Sequence, residues 1–127
     1  MPKKILCIDD DPFYEALYRD ILTTHGFQVR HAFDAAAGHK EFVKYKPDLV
    51  TLDVMMPERS GLMDGYGLLK TLRSDDDSRE VPVIMISALG EEGDAKQALE
   101  LGANDYLPKQ KLTPDLLVAK IKKYLAE

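Results

Sequence analysis

Residues 5–12 read Ile5-Leu6-Cys7-Ile8-Asp9-Asp10-Asp11-Pro12, an apolar run followed by three acids and a proline. A short, continuous apolar run is typical of a strand that is buried on both faces of a sheet. Asp11 and Pro12 then favour a helix start, because aspartate caps free amides and proline suits the first helical position. The stretch therefore predicts a buried strand that is followed closely by a helix.

The same alternation continues along the rest of the chain. Further strands are predicted over Phe27–Ala32, Leu49–Leu52, Val83–Ile86 and Asp105–Leu107. Helices are predicted between and after them: from Pro12 to Gly26, from Asp34 to Tyr45, from Met63–Gly65 to Ser74, over Glu91–Leu101, and from Thr113-Pro114 onward. Strands that alternate with helices are typical of a parallel sheet with right-handed crossovers. The predicted fold class is α/β, with five strands and five helices.

Composition limits the classes of protein that the chain can belong to. Its 127 residues are 45% hydrophobic and 31% charged, which is typical of one globular domain. The net charge of −5 does not favour binding to nucleic acid or to an anionic membrane. Cys7 has no cysteine partner, and no apolar stretch is long enough to span a bilayer. We expect a single cytoplasmic domain over residues 1–127, without membrane insertion or direct contact with nucleic acid.

Three acids follow two of the predicted strands. Asp9 and Asp10 come after the first strand, and Asp53 comes after Leu49–Leu52. Ligands of parallel α/β sheets bind beyond the carboxyl ends of the strands, so these side chains are expected to share one crevice. Neighbouring carboxylates repel one another unless a cation joins them, and Mg²⁺ prefers such oxygen ligands. A magnesium site is therefore predicted, although acids before a helix also serve as caps.

Two more polar residues lie at predicted strand ends. Ser87 follows the fourth strand, and Lys109 follows the fifth. Each has an ordinary interpretation, as a loop serine and as a surface lysine. Opposite an acid cluster, however, the ammonium group of Lys109 would supply a positive charge for a phosphate oxygen.

Four motifs occur together in a characteristic order. They are residues 5–12, residues 47–57 (Pro-Asp-Leu-Val-Thr-Leu-Asp-Val-Met-Met-Pro), residues 82–88 (Pro-Val-Ile-Met-Ile-Ser-Ala) and residues 102–109 (Gly-Ala-Asn-Asp-Tyr-Leu-Pro-Lys). Over nearly its whole length the chain resembles the receiver domain of two-component response regulators, of the kind found in chemotaxis regulators. The resemblance implies a doubly wound, flavodoxin-like sheet of order 2-1-3-4-5 with helices on both faces.

The resemblance also implies a role for each site residue. Asp53 would be the residue that is phosphorylated, so the chain would be a phosphoprotein. Asp10 and Asp53 would ligate Mg²⁺ together with the Met55 carbonyl, and Asp9 would hold a metal-bound water. Ser87 and Lys109 would contact the phosphoryl group, and Tyr106 would be the aromatic switch that enters the space vacated by Ser87. The donor would be a histidine kinase or phosphotransfer protein. The surface around the last strand and last two helices would then control an unknown downstream effector.

Three features depart from this pattern or modify it. Gln110 follows Lys109 where the family usually has proline in a cis peptide bond, so we predict a trans 109–110 bond. Residues 58–65 contain two possible glycine turns, Ser60-Gly61 and Asp64-Gly65, which indicates either a tolerated loop extension or a lid. Met55 and Leu89 cannot orient a hydrolytic water, so we predict a slowly hydrolysed phosphoryl group.

Other functions remain open from the sequence. An aspartate-nucleophile phosphatase of the haloacid-dehalogenase type would need a second acid two residues after Asp53, where this chain has Met55. A pseudo-receiver, which binds partners without phosphorylation, would normally have an incomplete acidic pocket. A nucleotide- or flavin-binding module would need a glycine-rich loop that the sequence lacks. The favoured prediction is a signalling phosphoacceptor that promotes only its own phosphorylation and dephosphorylation, and that is not otherwise an enzyme.

Overall fold

The computed structural model describes residues 2–56, 64–88 and 92–125. Its five strands are β1 (Lys4–Ile8), β2 (Gln28–Ala32), β3 (Leu49–Leu52), β4 (Val83–Ser87) and β5 (Asp105–Pro108). Its five helices are α1 (Pro12–Thr24), α2 (Ala35–Tyr45), α3 (Gly65–Ser74), α4 (Glu92–Glu100) and α5 (Pro114–Leu125), and a short 3-10 turn covers Lys109–Lys111. The predicted alternation of strands and helices is therefore confirmed.

The strands form one parallel sheet in the order β2-β1-β3-β4-β5, which is the flavodoxin-like order. In its register, Ile8 of β1 lies beside Leu52 of β3, and Leu52 lies beside Met85 of β4. The last residues of β1 and β3 are thus level with each other. The acids that follow these two strands must consequently emerge side by side at the carboxyl edge of the sheet.

Both faces of the sheet are covered by helices. Leu6 and Ile8 of β1 point into a core that includes residues of α2, α3 and α4, such as Leu68. Ile5 and Cys7 point the other way, into a core shared with α1 and α5. Because successive side chains of a strand face opposite sides, a strand between two helical layers is mostly apolar. This explains the apolar run 5–8 of β1 and why β3 is apolar apart from the buried Thr51.

Aspartates fix the starts of three helices through local hydrogen bonds. The amide of Phe13 donates to Asp11 Oδ1 at 2.9 Å, and the amide of Ala37 donates to Asp34 Oδ1 at 2.7 Å. The amide of Gly67 likewise donates to Asp64 Oδ1 at 2.8 Å. These caps satisfy amides that have no partner within the helix, as the sequence predicts for Asp11 and Asp34.

The boundaries differ slightly from the predicted ones. Strand β4 includes Ser87, and β5 includes Pro108, because the two residues are register partners that extend the ladder by one step. Helix α3 begins at Gly65, so Asp64-Gly65 is a helix start, whereas Ser60-Gly61 lies outside the described residues. Within the described part of the chain, no helix has the length and apolar character that a membrane-spanning segment needs.

Candidate functional site

Asp9 and Asp53 lie next to each other because the sheet hydrogen bonding continues past the ends of β1 and β3. The amide of Asp53 donates to the Ile8 carbonyl at 2.9 Å, and the amide of Asp9 donates to the Ala32 carbonyl at 3.0 Å. The two residues are nearly inaccessible, at 1% exposure for Asp9 and 4% for Asp53. The sheet therefore holds two carboxylates rigidly at its carboxyl edge.

Asp10 completes a group of three acids. One oxygen from each of Asp9, Asp10 and Asp53 lies within 4.8 Å of the others, as the sequence predicts. Burial and the neighbouring charge of Asp9 raise the pKa of Asp53 to about 6, against the opposing effects of Lys109 and the Met55 amide. The described protein groups therefore balance the negative charge of Asp53 only in part. The donor set thus fits a hard divalent cation such as Mg²⁺.

Lys109 brings a positive charge to this group of acids. Its Nζ lies 2.9 Å from Asp9 Oδ2 and 3.3 Å from Asp53 Oδ2. Burial alone would lower the pKa of Lys109, but the hydrogen bonds and charges of Asp9 and Asp53 outweigh it and raise the pKa. The described residues contain no cis peptide bond, which confirms the predicted trans bond between Lys109 and Gln110.

Ser87 and Tyr106 form a pair on neighbouring strands. Ser87 is fully buried at the end of β4, and the ring of Tyr106 on β5 is 8% exposed. Burial raises the pKa of Tyr106, and a hydrogen bond with the Ser87 side chain partly offsets this increase. A buried Tyr106 ring is compatible with the predicted switch, because the ring can pack in both states, and the switch role of Tyr106 stays a prediction.

Helix α3 packs very closely against the backbone of Asp53. A Cβ atom added to Gly65 would lie 2.1 Å from the Asp53 carbonyl oxygen and 2.8 Å from the Cα of Val54. The amide of Gly65 also donates to the Val54 carbonyl at 3.3 Å. Only glycine permits this approach, so the start of α3 supports the segment that follows β3.

Sequence reasoning missed two aromatic residues that contact the site. The ring centroid of Tyr14 lies 4.0 Å from Lys109 Nζ, and His31 Nε2 lies 2.7 Å from the Asp9 carbonyl oxygen. Tyr14 could have been noticed because it lies in the first turn of the helix that starts beside the acids. His31 gives no such signal, because it lies inside a strand and reaches Asp9 only through sheet pairing.

Two predictions concern residues at the rim of the site. The Met55 amide donates to Asp53 Oδ1 at 3.2 Å, and Met55 is 57% exposed, so its predicted effect on hydrolysis stays a prediction. Leu89 and residues 57–63 lie outside the described residues, so the proposed effects of Leu89 and of most of the 58–65 extension stay predictions.

The fold and site define a class: a doubly wound α/β domain with an acidic pocket and a lysine at the carboxyl edge of its sheet. The sequence model of the response regulator receiver domain family matches residues 5–122. The chain therefore belongs to the response regulator receiver domain family, and its role lies in two-component signalling.

Individual relatives agree with this assignment. The chain is 39% identical over 109 residues to the DNA-binding dual master transcriptional regulator RpaA of Synechocystis, covering 86% of this chain and 43% of the relative. It is 40% identical over 123 residues to the probable transcriptional regulator ycf27 of Pyropia yezoensis, covering 97% and 47%. The chain thus spans about half the length of the curated relatives that it matches.

A solved structure extends the similarity to three dimensions. A Chloroflexus aurantiacus chain classed as a response regulator superposes with a TM-score of 0.91 at 31% identity, covering 100% of both chains. Similarity over the entire length supports the assignment of the strand order and of the helical layers.

Proposed function

We propose that the chain is a phosphoacceptor in which Asp53 receives a phosphoryl group from a phosphohistidine in a Mg²⁺-dependent reaction. The observation that carries the proposal is the position of Asp53, a buried carboxylate grouped with two other acids and within 3.3 Å of the Lys109 ammonium. A reactive carboxylate, a cation site and a fixed positive charge are the parts that phosphoryl transfer requires.

Asp10 and Asp53 are the proposed direct ligands of Mg²⁺, together with the Met55 carbonyl, and Asp9 is proposed to hold a metal-bound water. The grouping of the three carboxylates and the raised pKa of Asp53 support this assignment. When bound, the ion would neutralise negative charge on the transferring phosphoryl oxygens. Lys109 would neutralise charge on another of these oxygens.

In the proposed step, an Asp53 carboxylate oxygen attacks the phosphorus atom of the phosphohistidine. The bond between phosphorus and oxygen forms as the bond between phosphorus and the imidazole nitrogen breaks, and the electron pair passes to the imidazole. Asp53 becomes an acyl phosphate that carries close to two negative charges. The ammonium of Lys109, which is ion-paired with the Asp53 carboxylate, then pairs with a phosphoryl oxygen.

Ser87 and Tyr106 are proposed to convert this charge into a change of surface. The Ser87 hydroxyl would donate to a phosphoryl oxygen, and its movement towards that oxygen would change the contacts available to Tyr106, which is buried on the neighbouring strand β5. Populations of two surfaces formed by β5, α4 and α5 would shift accordingly, to an extent set by their different contacts.

The lifetime of the phosphoryl group is also part of the proposal. Neither Met55 nor Leu89 has a side chain that orients water by hydrogen bonding, so hydrolysis of the acyl phosphate is expected to be slow. Removal of excess donor from phosphorylated protein, followed by intact mass over time, measures the rate. Rapid loss without an added phosphatase would contradict this prediction.

Partners are proposed by class. The donor would be a histidine kinase or a phosphotransfer protein, and the recipient of the signal an unidentified effector or output domain. Residues 1–127 would act as one receiver domain that promotes only its own phosphorylation and dephosphorylation. The prediction of no direct nucleic-acid contact rests on the net charge of −5, and the DNA-binding relative from Synechocystis gives it no support.

The central test is the intact mass of the protein after incubation with acetyl phosphate and Mg²⁺. We expect one phosphoryl adduct on the parent, no adduct on Asp53→Asn, and no adduct on the parent when EDTA removes the cation. An unmodified parent would indicate a pseudo-receiver instead. An equal adduct on Asp53→Asn would place the acceptor elsewhere, and rapid turnover of the donor without accumulation of a phosphoryl adduct would favour the phosphatase alternative.

A further inference from the structure

Lys109 has a third neighbour besides its two carboxylate partners. Its Nζ lies 4.0 Å from the centroid of the Tyr14 ring, a distance at which the ring face attracts a cation. The Lys109 side chain is only 11% exposed, so little water competes for its charge. Cation–π attraction is strongest when the cation is desolvated in this way.

The position of the ammonium depends on these neighbours. A lysine ammonium is a compact point charge on a flexible stem, and it has no preferred direction of its own. The residues after Lys109 do not enclose it, since Gln110 and Lys111 are both exposed. Asp9 and Asp53 therefore attract the Lys109 ammonium, and the ammonium lies against the uncharged face of the Tyr14 ring.

The Tyr14 ring is itself held in place. Its centroid lies 5.7 Å from that of Tyr18, which is almost fully buried, and 5.2 Å from that of Phe13 in an edge-on arrangement. Tyr14 also lies in the first turn of α1, whose start is fixed by the Asp11 cap. The backbone amide of Asp11 in turn donates a hydrogen bond to Asp9 Oδ1 at 2.9 Å. One short segment thus positions both the ring and an acid that Lys109 contacts.

We propose that Tyr14 is a positioning residue whose ring holds the Lys109 ammonium within reach of Asp53. The ring adds no charge, so it fixes the place of the ammonium without competing for the phosphoryl oxygens. An effect of Tyr14 on the rate of phosphoryl transfer rests on the proposed function. Its effect on the position of the Lys109 ammonium is independent of that function.

The first experiment measures that position without any phosphoryl donor. The NMR signals of the Lys109 ε-methylene group should be shifted upfield by the Tyr14 ring in the parent protein. In Tyr14→Leu they should move towards those of the exposed Lys122, and in Tyr14→Phe they should stay. Tyr45→Leu removes a ring that lies near Lys4 Nζ instead of Lys109, and it should leave the Lys109 signals unchanged.

The second experiment measures the rate of phosphorylation by acetyl phosphate at a fixed Mg²⁺ concentration. Tyr14→Leu should slow the reaction by about tenfold, while Tyr14→Phe and Tyr45→Leu should react like the parent. Pentafluorophenylalanine in place of Tyr14 fills similar space but reverses the ring electrostatics. It should react as slowly as Tyr14→Leu, and it gives the answer if the leucine variant does not fold.

The outcomes separate the two proposals. If Lys109 signals move in Tyr14→Leu but the parent accepts no phosphoryl group, the positioning stands and the proposed function fails. If the parent is phosphorylated and the leucine and pentafluoro variants keep its rate, the positioning role is overturned. Unmoved Lys109 signals in Tyr14→Leu, or equal slowing by Tyr14→Phe, would also overturn it.

Discussion

At the scale of single residues, the buried carboxylates of the acidic pocket lower the stability of the folded protein. Asp53 is 4% exposed and lies beside Asp9, and within the described part of the chain its charge is offset by Lys109 and one backbone amide. A group whose pKa rises on folding carries a charge that disfavours the folded state at neutral pH. The pocket is therefore expected to cost stability whenever no cation compensates it.

Asp53→Asn tests this cost at pH 7 in buffer without divalent cations. We expect its free energy of unfolding to exceed that of the parent by about 1 to 2 kcal/mol, because one of two adjacent buried charges is removed. Urea denaturation measures the difference, and added Mg²⁺ should stabilise the parent much more than the variant.

Asp11→Asn is the control, because Asp11 is an exposed acid that caps α1 and asparagine caps equally well. It should change stability by less than about 0.5 kcal/mol. An Asp53→Asn protein that is less stable than the parent without Mg²⁺ would contradict the argument.

At the scale of elements, the site depends on how closely α3 approaches the end of β3. The Asp64 cap sets where α3 begins, and Gly65 then lies against the Asp53 carbonyl. A side chain at this position would push the helix away from the backbone that carries the acceptor. The contact links the geometry of the site to one glycine in a neighbouring helix.

Gly65→Ala should destabilise the protein by about 1 to 3 kcal/mol, since its Cβ would overlap backbone atoms that cannot move freely. Thermal unfolding measures the loss. The matched control is Gly93→Ala in α4, where an added Cβ meets no atom within 4 Å. That variant should keep the parent stability or gain up to about 1 kcal/mol. Equal effects of the two substitutions would refute the close-contact explanation.

At the scale of the whole molecule, Arg73 joins several segments at the edge of the sheet opposite the site. Its guanidinium donates to the carbonyls of Gly102 and Val81 at 2.8 and 2.9 Å, and to Asn104 Oδ1 at 2.9 Å. Asn104 Oδ1 also accepts from the Val83 amide at 2.9 Å. One half-buried side chain thus ties the end of α3 to the starts of β4 and β5.

Arg73→Ala should lower the free energy of unfolding by about 1 to 3 kcal/mol, because several acceptors, most of them partly buried, lose their donor together. Arg79→Ala is the control, since Arg79 pairs with Asp76 on an exposed surface, and it should cost less than about 1 kcal/mol. Chemical denaturation compares them. Mg²⁺ affinity should be unchanged in both, and weaker binding in Arg73→Ala would show that the two edges are coupled.

Much of the site follows from sequence because its residues are tied to strand ends. Asp9, Asp53 and Lys109 come immediately after apolar runs, and parallel strands bring such positions to a common edge. The caps at Asp11 and Asp34 are equally local, since each depends on a few consecutive residues. The contacts of Tyr14 and His31 do not follow from sequence, because they depend on how α1 and β2 are placed relative to the site.

The sequence by itself determined the α/β alternation, the acidic cluster and the lysine, because each depends on residue type and on the periodicity of nearby residues. Only the tertiary structure decided that Tyr14 lies against Lys109, that Gly65 touches the Asp53 backbone, and that Tyr106 is buried in the core shared with α3 and α4. The physical reason is that these contacts join segments far apart in the chain. Helix packing and strand register set their distances, and no local pattern encodes either one.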